Sequence, residues 1–171
     1  RLSGGDHDVM IWDANSGKNL LTLTGHRGPV YGVAVFRDGS RIVSGSADNS
    51  VMVWDANSGA NLLTLTGHGD IVRSVAVFPD GIVSGSADGM VKIWDLARAA
   101  DGLAESGTLI KTLSGRDGGG WVAVSADGKT IVSGCGSGYI TGTVKIWKKK
   151  SMVLSKHDGS ETGKIGGLDV I

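Results

Sequence analysis

Four stretches of this chain close on a tryptophan in the same setting: DVMIWD (8–13), SVMVWD (50–55), MVKIWD (90–95) and TVKIWK (143–148). The tryptophans Trp12, Trp54, Trp94 and Trp147 are separated by 42, 40 and 53 residues. Self-similarity at such a period marks a repeat architecture, in which one supersecondary unit is copied and no copy buries its apolar face alone. The copies must stack, and function falls to the surfaces that the stack presents.

The second copy, 25–66, shows the unit most fully. After GHRGP comes the alternating run VYGVAVF, then the turn RDGS, whose Asp38-Gly39 pair is a hairpin signal. RIVSGS follows, then the turn ADNS, VMVW, the turn DANSG and finally NLLTLT. Period-2 alternation in short runs punctuated by turns predicts four strands in one antiparallel sheet. The third copy, 67–114, repeats this, with LARAADGLAESG inserted before its last strand, long enough for a turn of helix. The fourth copy, 115–155, has an enlarged turn, CGSGYITG, before TVKIW and a last strand expected at 151–155.

The two ends of the chain read as complementary halves of a sheet. Residues 1–24 align with the second, third and fourth strands of a unit, and 165–171 (IGGLDVI) with the first. The expected first sheet is therefore 1–24 completed by 165–171, which would remove an open sheet edge. The chain begins at Arg1 rather than methionine, as a processed or partial chain would.

Composition narrows the function classes. Lys+Arg and Asp+Glu each number 17, so the formal net charge is zero and no global field favours nucleic acid or an acidic membrane surface. Lys148–Lys150 reads as a solvated turn. The 29 glycines, well above the usual ~7%, come with only two prolines and fit many tight turns. No apolar run approaches the length of a membrane span. One cysteine, Cys135, excludes an internal disulfide framework, and a reducing, intracellular and cytoplasmic setting is the expectation.

Three sets of residues recur in register: Gly25-His26 and Gly67-His68; SGSAD at 44–48 and 84–88; and Trp-Asp at 12–13, 54–55 and 94–95. With them the chain resembles the WD-repeat family of β-propellers over nearly its whole length. The resemblance implies an all-β fold of radial four-stranded blades, with about four blade equivalents here and the first completed by the C-terminal strand. It implies a rigid platform for other proteins, often within a multi-subunit complex. It also implies a hydrogen-bonded tetrad in each blade: His26, Ser44, Asp48 and Trp54; His68, Ser84, Asp88 and Trp94; and His157, Ser3, Asp6 and Trp12. Ser46 and Ser86 lie on the same strand faces, so the choice of serine stays open. The fourth unit departs from the pattern, with Arg116 for the histidine, Thr141 or Gly142 for the aspartate, and only Ser133 and Trp147 kept. Family rings usually hold about seven or eight blades. A sector of a longer propeller is the preferred account of four, ahead of two copies paired into an eight-bladed ring and of a lone ring.

Other chemistries fit less well. Ser, His and Asp suggest a hydrolytic triad, yet they recur at blade spacing and no G-x-S-x-G elbow occurs. GSETGK (159–164) is one residue short of a phosphate-binding loop and lacks the hydroxyl after its lysine. DANSG departs from a calcium loop at the fifth position and has no later glutamate. GGGWVA (118–123) precedes no helical pattern, and the four histidines have no zinc spacing. The expectation is no catalytic residue, no cofactor and no metal.

Partner contacts are expected where the copies differ. In the family's topology one rim would carry 116–121, 135–141 and 158–164, and Arg116, Trp121 and Tyr139 are the candidates there. Trp121 fits equally well inside a first strand. Tyr31 and Arg73 hold matching positions after Gly-His and are candidates at the channel mouth. The insertion at 96–107 falls on the opposite rim. A competing reading, a ligand-sensing or catalytic propeller, would need titratable residues along the first strands, where only Arg73 is charged.

Overall fold

The computed structural model describes residues 7–79, 81–98, 105–114, 120–135, 143–149 and 168–170. Everything regular among them is strand. The first sheet holds β1 (Val9–Trp12) and β2 (Asn19–Leu23). The second holds β3 (Val30–Val35), β4 (Arg41–Ser46), β5 (Val51–Asp55) and β6 (Asn61–Leu65), hydrogen-bonded in chain order. The third holds β7 (Val72–Phe78), β8 (Gly81–Ser86), β9 (Met90–Arg98) and β10 (Glu105–Ser114). The fourth holds β11 (Trp121–Val124), β12 (Thr130–Cys135), β13 (Thr143–Lys149) and β14 (Leu168–Val170). All pairings are antiparallel, as short turns between successive strands require.

The turns follow local chemistry. In DANSG the carboxylate of Asp13 accepts from Ser16 N at 2.7 Å, and that of Asp55 accepts from Ser58 N at 2.7 Å. Gly17 and Gly59 then take φ of 67° and 75°, which reverses the chain into the outermost strand. These aspartates cap turns.

The core consists of seams between consecutive sheets. Val9 and Leu23 of the first sheet meet Ile42 and Trp54 of the second. Val43, Val51, Val53 and Leu65 of the second meet Val75, Ile82, Trp94 and Leu96 of the third. Val83, Val91, Ile93 and Leu113 of the third meet Ile131 and Trp147 of the fourth. At each seam the tryptophan face of the later sheet lies on a largely β-branched face of the earlier one. Trp54 is 1% exposed and Trp94 3%. Burying a side chain of this size removes roughly 150–250 Å² from water, an upper-bound stabilisation of about 4–6 kcal/mol.

One expectation is corrected. Leu168–Val170 does not complete the first sheet: it pairs with β13, Trp147 opposite Val170 and Lys149 opposite Leu168. An apolar–polar–apolar triplet suits an innermost or an outermost strand equally, and the ladder of β13 captures it as the fourth sheet's outer strand. The last strand expected at 151–155 lies outside the described residues. The insertion at 96–107 begins and ends as strand, and 99–104, where a turn of helix could stand, lies outside the described residues. Leu96–Arg98 and Glu105–Gly107 pair residue for residue and lengthen the β9–β10 hairpin. Leu96, 7% exposed, is buried in the seam with the second sheet and draws the strand onward.

Among the described residues the four sheets do not close into a ring. Among the described residues the first and fourth sheets each leave one face uncovered. Met10 and Trp12 stand out from the first, and Val144 and Ile146 from the fourth, at 38–68% exposure.

Close approach between sheets depends on glycine at one recurrent place. A Cβ on Gly45 would stand 2.6 Å from Val72 Cγ1 and 3.1 Å from Val75 Cγ1, and one on Gly85 2.9 Å from Val122 Cγ1. Substituting Gly45→Val should overpack the seam between the second and third sheets and lower stability by about 1–3 kcal/mol. The urea midpoint, with the denaturant slope unchanged, reads this directly.

Candidate functional site

Two clusters of sequence-singled residues come together in space, one buried and one open. The buried cluster starts from Trp54, whose Nε1 donates to Ser44 Oγ at 2.8 Å. Ser44 Oγ lies 2.7 Å from His26 Nε2, and His26 Nδ1 lies 2.9 Å from Asp48 Oδ2. Asp48 also accepts from Arg27 N at 2.8 Å and from Ser50 Oγ at 2.6 Å. The third sheet repeats the chain through Trp94, Ser84, His68 and Asp88, at 2.8, 2.8 and 2.9 Å. Ser46 and Ser86 act elsewhere, donating to the carbonyls of Gly28 and Asp70 at 2.8 Å.

An indole N–H can only donate, and the serine oxygen accepts it. With the histidine neutral, the hydroxyl hydrogen goes to Nε2 and Nδ1–H goes to the carboxylate. Every member is then satisfied, and the chain ties a third strand to a turn and to the segment linking two sheets. Its Ser–His–Asp distances match a hydrolytic triad, but Ser44 and Ser84 are 0% exposed and their oxygens hold an indole N–H. A substrate has no path to them. Enclosure decides against nucleophilic chemistry here.

Burial pulls His68 below its ordinary range, and this outweighs the hydrogen bond and charge of Asp88, which raise it. For Asp48 burial acts upward. Hydrogen bonds from Ser50 Oγ, Arg27 N, His26 and Ser50 N outweigh it and hold the carboxyl well below the carboxylate range. Asp88 is lowered in the same way, burial being overcome by Gly69 N, His68 and Met90 N.

In the first sheet Trp12 is 56% exposed, and Ser3, Asp6 and His157 lie outside the described residues. In the fourth, Trp147 Nε1 donates to Ser133 Oγ at 3.3 Å, and Arg116 and 141–142 lie outside them.

The open cluster gathers Tyr31, Arg73 and Trp121 with Ile71 around a cavity of about 270 Å³. Three innermost strands supply them. Ladder registers skip from Val30 to Gly32 and from Val72 to Ser74, so Tyr31 and Arg73 are each the extra residue of a bulge. Bulges re-aim side chains, and here both turn outward. Trp121 belongs to β11 and is still 54% exposed. By register it stands where Gly32 and Ser74 stand, since all three face a glycine of the neighbouring strand. The Arg73 guanidinium lies 5.8 Å from the Trp121 ring centroid. Arg116 and Tyr139, the other rim candidates, lie outside the described residues.

Sequence reasoning missed the bulges and two features besides. Ser74 Oγ accepts from Val122 N at 3.2 Å, a polar stitch between inner strands. A larger cleft of about 530 Å³ opens at the other ends of β3 and β7, where Arg41 stacks on Phe36 at 4.1 Å. Among the described residues no three His, Cys, Asp or Glu side chains gather as a metal would require. No helix there is long and apolar enough to cross a membrane.

Antiparallel sheets stacked in chain order, two of them with a Trp–Ser–His–Asp chain, have the form of propeller blades. Residues 17–55 and 59–95 match the family profile of the WD domain, G-beta repeat. Residues 17–95 thus carry two WD repeats. No curated protein matches the sequence. Each matched stretch begins with the outermost strand of one sheet and ends with the third strand of the next, so the sequence repeat bridges two sheets.

Ser44→Ala leaves the Trp54 N–H and His26 Nε2 without a partner in a dry seam. It should cost about 1–3 kcal/mol in chemical denaturation. Stability should also fall as pH drops. His68 has a folded pKa below its unfolded value near 6.5. Its contribution is complete above that value and is lost as pH falls below it, because only the unfolded chain takes the proton. Asp48 and Asp88 add a second decline below about pH 4. Melting temperatures between pH 7.5 and 3 should show both limbs, and His68→Gln should shrink the upper one.

Proposed function

We propose that this chain is a non-enzymatic platform for protein assembly and that partners dock in the Tyr31–Arg73–Trp121 cleft. WD repeats generally mediate protein–protein interaction. The observation that carries this reading is the cleft: three sheets deliver a tyrosine, an arginine and a tryptophan to one concavity. These three residue types dominate binding hot spots, because they combine large rigid area with a polar handle. A guanidinium near an indole, in a cavity that a tyrosine also lines, suits a partner segment that pairs a carboxylate with an apolar side chain.

The rigid sheets present the cleft within a larger assembly, in which 1–171 acts as one unit and copies of the chain also pair with each other. Zero net charge supports protein partners over nucleic acid or membrane insertion, and a lone Cys135 is in keeping with the cytoplasm. Catalysis in a central channel finds little support, since the innermost strands VYGVAV, VRSVAVF and WVAV carry one charged residue, Arg73.

Peptides selected from a random library for binding to this chain should combine an acidic with an aromatic or aliphatic residue. Arg73→Ala and Trp121→Ala should each weaken them about tenfold or more in calorimetry, with the circular dichroism spectrum unchanged. Undiminished binding by both variants would remove the cleft as the docking site.

A further inference from the structure

The two uncovered end faces are mates. At the seam between the first and second sheets, Val9 and Ile11 lie against Met52 and Trp54. The first sheet's other face carries Met10 and Trp12, the counterparts of Met52 and Trp54 in the repeat, at 50% and 56% exposure. The fourth sheet's uncovered face carries Val144 and Ile146, a valine and an isoleucine two apart on the third strand, as Val9 and Ile11 are. They are 68% and 38% exposed. Val144–Trp147 also repeats Val91–Trp94 letter for letter, and there Val91 and Ile93 are buried against the following sheet.

We propose that the Met10–Trp12 face of one copy seats the Val144–Ile146 face of a second copy, head to tail. Two copies would thus close on each other through two such junctions. This rests on the self-pairing within the platform reading above and gives it a surface. At its third strands each junction would set a valine and an isoleucine against a methionine and a tryptophan, as the seam between the first and second sheets does. An isologous contact between two Met10–Trp12 faces has no such precedent among the observed seams, each of which joins unlike faces. The junction is therefore heterologous, and with two copies it closes instead of growing.

Light scattering after gel filtration of the 171-residue chain at tens of micromolar should give twice 17.5 kDa. Both test positions are exposed, so Met10→Lys and Val144→Lys should keep the strand-type circular dichroism. Each alone should give the single-chain mass, and mixing the two should restore a pair, because one intact junction remains between unlike variants. A wild-type chain of single mass, or open-ended growth with concentration, overturns the proposal. So does pairing that survives Val144→Lys. Peptide binding at the Arg73 cleft should be unchanged in both variants. A loss of pairing with peptide binding intact thus separates this junction from the docking site, and each can fail without the other.

Discussion

Each internal tryptophan has two requirements, and the architecture meets both at once. Its ring must leave water, which the β-branched face of the preceding sheet allows. Its N–H must then be satisfied in a place with no water, which Ser44 or Ser84 provides at 2.8 Å. The first requirement brings two sheets together and the second fixes how they meet, because the serine belongs to the middle of the same sheet and the histidine to the segment entering it. Losing the apolar contact would cost several kcal/mol, whereas losing the hydrogen bond alone would cost about 1–3. Packing supplies most of the stability, and the polar chain supplies the geometry.

That division explains why a Ser–His–Asp arrangement can sit in a protein and do no chemistry. A nucleophile needs an exposed oxygen with a lone pair aimed at substrate, and Ser44 and Ser84 have neither. The low dielectric that would sharpen a catalytic triad here tightens a corner instead, holding Asp48 and Asp88 ionised against burial through backbone and side-chain donors. The side chains left open to solvent stand instead at inner-strand positions, where bulges free Tyr31 and Arg73 from the ladder.

Much of the fold was legible because its signals are local. The tryptophan period, the alternation and turns such as DANSG give the strands of the second sheet within a residue or so. Pairing was less legible. Leu168–Val170 alternates well enough for either edge of a sheet, and only three-dimensional closure onto β13 decides between them. The stretch 96–107 looked like an insertion because its inner part has no counterpart in other copies, yet Leu96 continues a seam. For the cleft, Tyr31 and Arg73 were visible as matching deviations. The bulge that turns them outward leaves no mark in a single repeat. A tryptophan at the place held by Gly32 and Ser74 was the available clue to Trp121, and it emerges only once the copies are aligned by strand register.

In an array of this kind stability is nearly a sum over junctions, so position along the array decides how firmly a unit is held. The second and third sheets have a neighbour on each side and carry complete polar chains. The first and fourth have one neighbour each, and the fourth keeps a longer Trp147–Ser133 bond of 3.3 Å with arginine in the histidine's place. The cleft draws Tyr31 and Arg73 from the two firm sheets and Trp121 from the looser one. A partner that bridges all three would therefore tie the fourth sheet to the rigid pair, so that binding and the order of the array's end reinforce each other by mass action.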